Sequence, residues 1–319
     1  MINKIKSPII PQNKKDPTQS AKYLNKTYRN IENRYKNIKL RLKEIFSQYL
    51  HGVEREVNRE VNQSFIFIQG TIYQANSNYI YDLSASELDT LLELMHGILD
   101  EYLLEGGREN FWILSTIENE YRRGTHSAYI NLSHQSTYYA EQTTFMELLS
   151  KPAYQNQIKQ AFTLTFNDWK SLTQTTKSDL SHVLASSIAR GINPRETAQI
   201  ISKRLDVSMT KARALAQTEQ LGAMRQAQWN ETEWSSERLG LRTALLHMSA
   251  KLTTSRATHV YWDGRIRTVE EVQNWYEENG NRYNCHCAQI PILLNENGEP
   301  YNKFVIEQLT KERDVWLNE

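Results

Sequence analysis

From Leu24 to Tyr49 the apolar residues Leu24, Tyr28, Ile31, Tyr35, Ile38, Leu42, Ile45 and Tyr49 recur at alternating spacings of four and three. Such a period of about 3.5 residues cannot sit on one face of a strand; it predicts one long helix that packs along a narrow, heptad-like seam. The seam needs a second surface, either another helix of this chain or a partner subunit. The preceding DPTQSAKYL reads as the helix start, with Asp16 as cap and Pro17 in the first turn.

The residues before that start have a different character. Prolines at 8, 11 and 17 and four lysines fall within the first 20 residues, which predicts an extended, flexible basic arm. Between Met1 and Lys43 there are 12 Lys/Arg against two acids, whereas Tyr81 to Glu120 holds 10 acids against Arg108 alone. The formal net charge of +1 hides this asymmetry, which suits a basic arm and an acidic body that meet different neighbours or each other. Tyr23, Tyr28 and Tyr35 lie among the basic residues and superficially suit nucleic acid, but Tyr28 and Tyr35 fall on the seam, so they are packing residues first. The apolar patch before Gln12 is shorter than a signal-peptide core, and no run reaches the roughly 18 to 20 apolar residues of a membrane-spanning helix.

Beyond the seam, FIFIQGTIYQ from Phe65 reads as a strand or hairpin edge. Ser84 to Glu87 fits a capping box, followed by a helix that stops at Gly106-Gly107. Further helices are expected around 112–123, 143–149, 154–169 and 177–190. Asn193-Pro194 opens another, and Ser208 can cap the next. That last helix carries Ala214, Leu215, Thr218, Leu221, Gly222 and Arg225 on a small-residue face suited to close packing. After Gly240 the texture changes: strands are expected at LRTALLHM and CAQIPILL, a strand or turn at RATHVYWDGRIRT, a capped helix at 268–280 and a closing amphipathic helix at 301–317. The fold class is therefore α+β, with a mostly helical N-terminal two-thirds and a small α/β C-terminal domain. The expected division is a flexible basic arm at 1–20, a mainly helical domain at 21–184 and a terminal domain at 185–319.

The two cysteines, Cys285 and Cys287, are separated only by His286, so no disulfide framework holds the fold and a reducing compartment fits best. With His247, His259 and Asp263 they form the densest set of chemical side chains. Thiolate and imidazole suit zinc, with His259, Cys285 and Cys287 as the ligand candidates. The plainer alternative is two cysteines on one face of a strand start, simply buried. His259 with Asp263 is a fragment of a metal-dependent nuclease site, although Asp263-Gly264 also reads as an ordinary turn. Glu219 is either a catalytic carboxylate or, as favoured, an anchor for the backbone amides of a neighbouring loop. No phosphate loop, nucleophile elbow or dinucleotide fingerprint is present in the sequence.

The ordered set ARALAQTEQLGAMRQA, then TSRATHVYWDG, then NCHC resembles the Mu F-like minor head proteins of tailed bacteriophages, the phage head morphogenesis family. Thr218 and Glu219 match that family's Thr-Glu pair. Arg256, His259, Asp263 and Gly264 match its second element, and Asn284, Cys285 and Cys287 its closing Asn-Cys-Arg-Cys. Gln217 stands where the family has Arg before Thr-Glu, and His286 replaces the Arg between the cysteines. The resemblance covers about residues 185 to 295, roughly a third of the chain. It implies a non-enzymatic, low-copy head component that assembles in the host cytoplasm and ends in the virion, in the capsid interior or at the portal vertex. It also implies portal, major capsid or scaffolding proteins as partners, with a role in genome packaging or ejection. Double-stranded DNA is a further candidate partner through the basic arm. About 25 residues follow CAQIPILL, too few for a fused catalytic domain. The competing readings are a metal-dependent DNA-processing enzyme and a DNA-binding module.

Overall fold

The computed structural model describes residues 6–55, 63–68, 71–76 and 78–318. The elements in chain order are α1 (Ala21–Tyr49), β1 (Gly52–Glu54), β2 (Gln63–Ile68), β3 (Thr71–Asn76), β4 (Tyr79–Tyr81), α2 (Ala85–Leu103), α3 (Leu114–Gln135), α4 (Thr137–Gln142), α5 (Phe145–Ser150), α6 (Pro152–Ala189), α7 (Pro194–Leu239), β5 (Thr243–Met248), α8 (Ala257–Tyr261), β6 (Ile266–Arg267), α9 (Val269–Glu277), β7 (Ala288–Leu293) and α10 (Phe304–Asn318). This is an α+β chain, mostly helical, with its small three-stranded sheet near the C-terminus. Residues 1–5 of the basic arm and the Gln69-Gly70 pair of the FIFIQGTIYQ stretch lie outside the described residues.

Two compact units are built from interleaved segments: Thr27–Trp112 with Thr165–Arg213, and Met1–Lys26 with Ile113–Leu164 and Ala214–Glu319. The division expected between residues 184 and 185 falls inside α6, a single helix where two were expected. Its threonine-rich middle does not break it. Thr173, Thr175 and Thr176 turn their hydroxyls back to the carbonyls of Trp169, Ser171 and Leu172, at 2.8, 3.0 and 2.9 Å, so each polar group is satisfied within the helix.

In the first of these units α1 buries Thr27, Ile31, Tyr35, Ile38, Leu42 and Phe46, with Leu50 just beyond its end. The expected seam holds from Ile31 through Leu42; before that Thr27 is buried in place of the half-buried Tyr28, and beyond it the seam shifts by one residue, from Ile45 and Tyr49 to Phe46 and Leu50. A straight helix of 3.6 residues per turn drifts away from a strict heptad in this way. The second surface belongs to this chain: Tyr35 Oη and Thr176 Oγ1 both lie 2.7 Å from Ser208 Oγ. Ser208 is therefore no cap; its hydroxyl is held between two other helices in the middle of α7, which runs unbroken. Burial pushes the Tyr35 hydroxyl up to about 12, so it stays protonated. Ser84 and Glu87 form the expected capping box of α2. The stretch from Phe65 is a hairpin edge, β2 antiparallel to β3, and exposes Phe65, Phe67 and Ile72 while burying Ile66 and Tyr73.

In the other unit the sheet order is β6-β5-β7, all antiparallel. One face packs Leu246, Met248, Ile290 and Ile292 against Val305 and Leu309 of α10. The opposite face carries Leu245, which packs with Trp229 of α7 and Val272 and Tyr276 of α9. The exposed edge of β7 is closed by a side chain of α3: Gln135 donates to Pro291 O (2.9 Å) and accepts from Leu293 N (3.1 Å). Gln135 also donates to Asn131 Oδ1 (2.6 Å), and Asn131 in turn donates to Ile9 O (2.8 Å).

In residues 6–20, the described part of the expected flexible arm, that amide relay is joined by further contacts. Ile10 packs on the α10 face of the sheet, and Thr18 and Ser20 are buried. Lys14 pairs with Glu312. The proline-rich composition signals an extended segment, not a free one. Asp16 still accepts from the helix entry, at Ser20 N (3.2 Å) and Ala21 N (3.1 Å), but α1 begins at Ala21, four residues after the expected start at Pro17, which lies outside it.

Helices α3 and α7 touch at Gly124, where an added Cβ would lie 2.1 Å from Met224 O, whereas Gly97 in α2 meets nothing within 4 Å. Gly124→Ala is expected to lower stability by about 1–3 kcal/mol through overpacking. Gly97→Ala should raise it by about 0.5–1 kcal/mol through helix propensity. Urea unfolding of the two variants measures both, and equal effects would contradict the close approach.

Candidate functional site

Helix α7 presents Thr218 and Arg225 seven residues apart, two turns along the same face. Thr218 Oγ1 donates to Ala214 O (2.8 Å) and accepts from Asn284 N (3.2 Å). Arg225, whose side chain is entirely buried, donates from Nε to Cys287 O (3.0 Å) and from Nη2 to Cys285 O (2.6 Å). Gln217 Nε2 lies 3.0 Å from His286 Nε2. One helix therefore holds each of the four residues Asn284 to Cys287, three through the backbone and one through its side chain. The loop needs that support because Asn284 sits at φ 51°, a left-handed conformation that asparagine tolerates better than most residues.

The other side of the loop is held from α8 and α9. Arg256, the residue before α8, donates to Gly280 O (3.0 Å), Asn281 O (3.0 Å) and Tyr283 O (2.9 Å). His259 turns Nδ1 toward both sulfurs, 3.4 Å from Cys285 Sγ and 3.5 Å from Cys287 Sγ. Its ring stacks edge-on against Trp275, centroids 4.6 Å apart. Cys287 N donates to Cys285 Sγ at 3.3 Å, and Tyr276 Oη is 3.6 Å from the same sulfur. His259, Cys285 and Cys287 are each 3% exposed, so this cluster is shut off from solvent.

Burial by itself raises a thiol, but the Cys287 hydrogen bond, the Arg225 charge and His259 together hold Cys285 well below the ordinary thiol range. Cys287 moves the other way, pushed up by its hydrogen bond with Cys285 and by burial. Burial disfavours the Arg225 cation, and the neighbouring Tyr276, Cys285 and Cys287 outweigh it and raise its pKa. The chemistry offered is a buried pair of sulfurs beside a guanidinium and within reach of an imidazole, with the Cys285 thiol biased toward its anion.

Not every sequence candidate joins this cluster. Asp263 is fully buried but points elsewhere: it accepts from Ser249 N (2.7 Å) and Lys251 Nζ (2.6 Å). The nuclease fragment of His259 with Asp263 is thus split between two sets of partners, because the Asp-Gly turn directs the carboxylate to the chain leaving β5. Gly264 fulfils the turn reading, at φ 74°, with its amide donating to His247 O (2.9 Å) and a Cβ there crowding Thr310 N at 3.0 Å. His247 packs edge-on against the stacked pair Trp262 and Trp275, with Gln289 Nε2 3.3 Å from its Nδ1, and burial pushes its pKa down to about 3. It is a neutral core residue. Glu219 is half-buried on α7, and the Asn284 amide goes to its neighbour Thr218.

Residues 178–290 match the family described as Phage Mu protein F like protein. The chain carries a Mu F-like domain. No curated protein and no solved structure matches the chain. The Mu F-like segment contains Thr218, Arg225, Arg256, His259 and the whole Asn284 to Cys287 loop, so the contacts described above lie inside the matched region. Within the Mu F-like domain Arg225 is the residue that sequence patterning undervalues. The available signal was an arginine on a face otherwise made of small and apolar residues, a position that burial makes costly unless the guanidinium has partners.

Thr218→Val keeps the side-chain shape and removes the acceptor for Asn284 N. It is expected to lower stability by about 1–2 kcal/mol in urea unfolding, while Thr218→Ser retains the bond and costs less. Equal behaviour of the two variants would show that the hydroxyl does not hold the loop.

Proposed function

We propose that this chain is a minor head protein of a tailed bacteriophage, taken into the capsid near the portal vertex during assembly in the host cytoplasm. There it assists genome packaging or ejection. The match of residues 178–290 to the Mu F-like family carries this reading. The use made of the matched side chains supports a structural role over a catalytic one. Thr218, Arg225 and Arg256 are spent on main-chain groups, and Asp263 is neutralised by Lys251. A base and a metal-binding carboxylate are not brought to bear on a common point by His259 and Asp263, which speaks against the nuclease alternative.

The partners we infer are proteins of the head: portal first, then the major capsid or scaffolding protein. The hairpin of β2 and β3 offers exposed Phe65, Phe67 and Ile72 on one face, apolar surface of the kind that protein interfaces cover. The DNA-binding alternative loses support from the ion pairs of the basic segment. Lys14, Arg34 and Lys39 face Glu312, Glu105 and Asp206, leaving less free positive charge for phosphates than the sequence count suggests. Among the described residues no helix is long and apolar enough to cross a membrane.

Co-expression of the full chain with the tagged portal and major capsid proteins of the same phage tests the proposal. Co-purification with the portal protein is the expected result. Recovery with neither protein, under conditions in which portal and capsid each assemble, would overturn it.

A further inference from the structure

We infer that His259, Cys285 and Cys287 form a zinc site that locks the terminal loop of the Mu F-like domain. This inference stands on the geometry of the three side chains and does not depend on the head-assembly reading. Their ligand atoms lie within 4.8 Å of one another. His259 Nδ1 is 3.4 Å from one sulfur and 3.5 Å from the other. A tetrahedral zinc ion, with bonds of about 2.3 Å to sulfur and about 2.0–2.1 Å to nitrogen, places a nitrogen and a sulfur ligand roughly 3.5 Å apart. The observed spacings are therefore those of two ligand edges of one coordination sphere. Thiolate and imidazole together select a soft or borderline cation, zinc before magnesium or calcium.

The surroundings prepare the sulfurs for a metal. Arg225 binds the carbonyls of Cys285 and Cys287 and not their sulfurs, so it fixes the backbone on both sides of His286 while leaving the sulfur lone pairs available. The amide of Cys287 donates to Cys285 Sγ (3.3 Å), the kind of contact that orients a thiolate ligand. His286 is directed to Gln217, away from the sulfurs, which lets a Cys-X-Cys pair converge on one point. His259 Nε2 is buried with no hydrogen-bond partner, so the sulfurs are the polar neighbours of this ring among the described residues. As neutral thiols they are weak partners for a buried imidazole; as ligands of a shared cation they account for its position. Zinc binding displaces the remaining thiol protons to solvent, and three protein ligands leave the fourth position to a non-protein ligand.

The test is metal analysis of the full chain, purified reduced and without chelator from zinc-supplemented cells. About one zinc per chain is expected, and its removal should lower the thermal midpoint, which returns when zinc is added back. The double variant Cys285→Ser/Cys287→Ser should bind less than a tenth as much. Because that variant can fail to fold, cobalt added to the chelated parent chain gives a second readout. It should produce thiolate-to-cobalt charge-transfer absorption with the visible bands of a tetrahedral site. A folded, reduced parent chain that holds neither zinc nor cobalt in this way overturns the proposal. So does zinc retained at full stoichiometry by a folded double variant.

Discussion

A guanidinium removed entirely from water is among the most expensive groups a protein can bury, and Arg225 is such a group. Its placement is tolerable because two backbone carbonyls receive its N–H groups, the Tyr276 ring lies 4.8 Å from it and the Cys285 thiol beside it is held toward its anionic form. In return the longest helix of the chain is tied directly to the residues that lead into β7. Thr218 and Gln217 extend the tie to Asn284 and His286, and Arg256 secures the preceding turn through Gly280, Asn281 and Tyr283. The loop has no regular secondary structure of its own; its shape is set by side chains reaching in from both directions.

Sequence periodicity made the helices and most caps legible, because those features depend on local spacing. The capping boxes at Ser84 and Thr268 and the strands around Leu245 and Ile290 are where patterning places them. Two kinds of feature escaped it. Helix breaks at the threonine-rich stretch near Thr176 and at Ser208 do not occur, because tertiary neighbours and back-bonded hydroxyls satisfy groups that would otherwise favour an end. The fate of the basic segment also depends on contacts with residues more than a hundred positions away, such as Asn131 with Ile9, which no local window contains.

The site was legible in identity but not in grouping. The ordered motifs single out His259, Cys285 and Cys287, which do converge, together with Asp263, which is drawn off to Lys251. Two of the positions that depart from the family pattern, Gln217 and His286, face each other at 3.0 Å. Departures that look independent along the chain thus belong to one contact. Arg225 lies inside the first motif but is not one of its matched residues, yet it binds the carbonyls of both cysteines, because its importance comes from burial and burial is a property of the folded chain.

The most direct test of this account is the urea-unfolding free energy of Arg225→Met. Methionine fills much of the arginine volume with an unbranched apolar chain, so the measurement isolates the hydrogen bonds to Cys285 O and Cys287 O from simple cavity formation. Two buried carbonyls left without donors should lower stability by about 2–4 kcal/mol. A loss below about 0.5 kcal/mol, the range of an ordinary surface substitution, would contradict the claim that this guanidinium organises the loop.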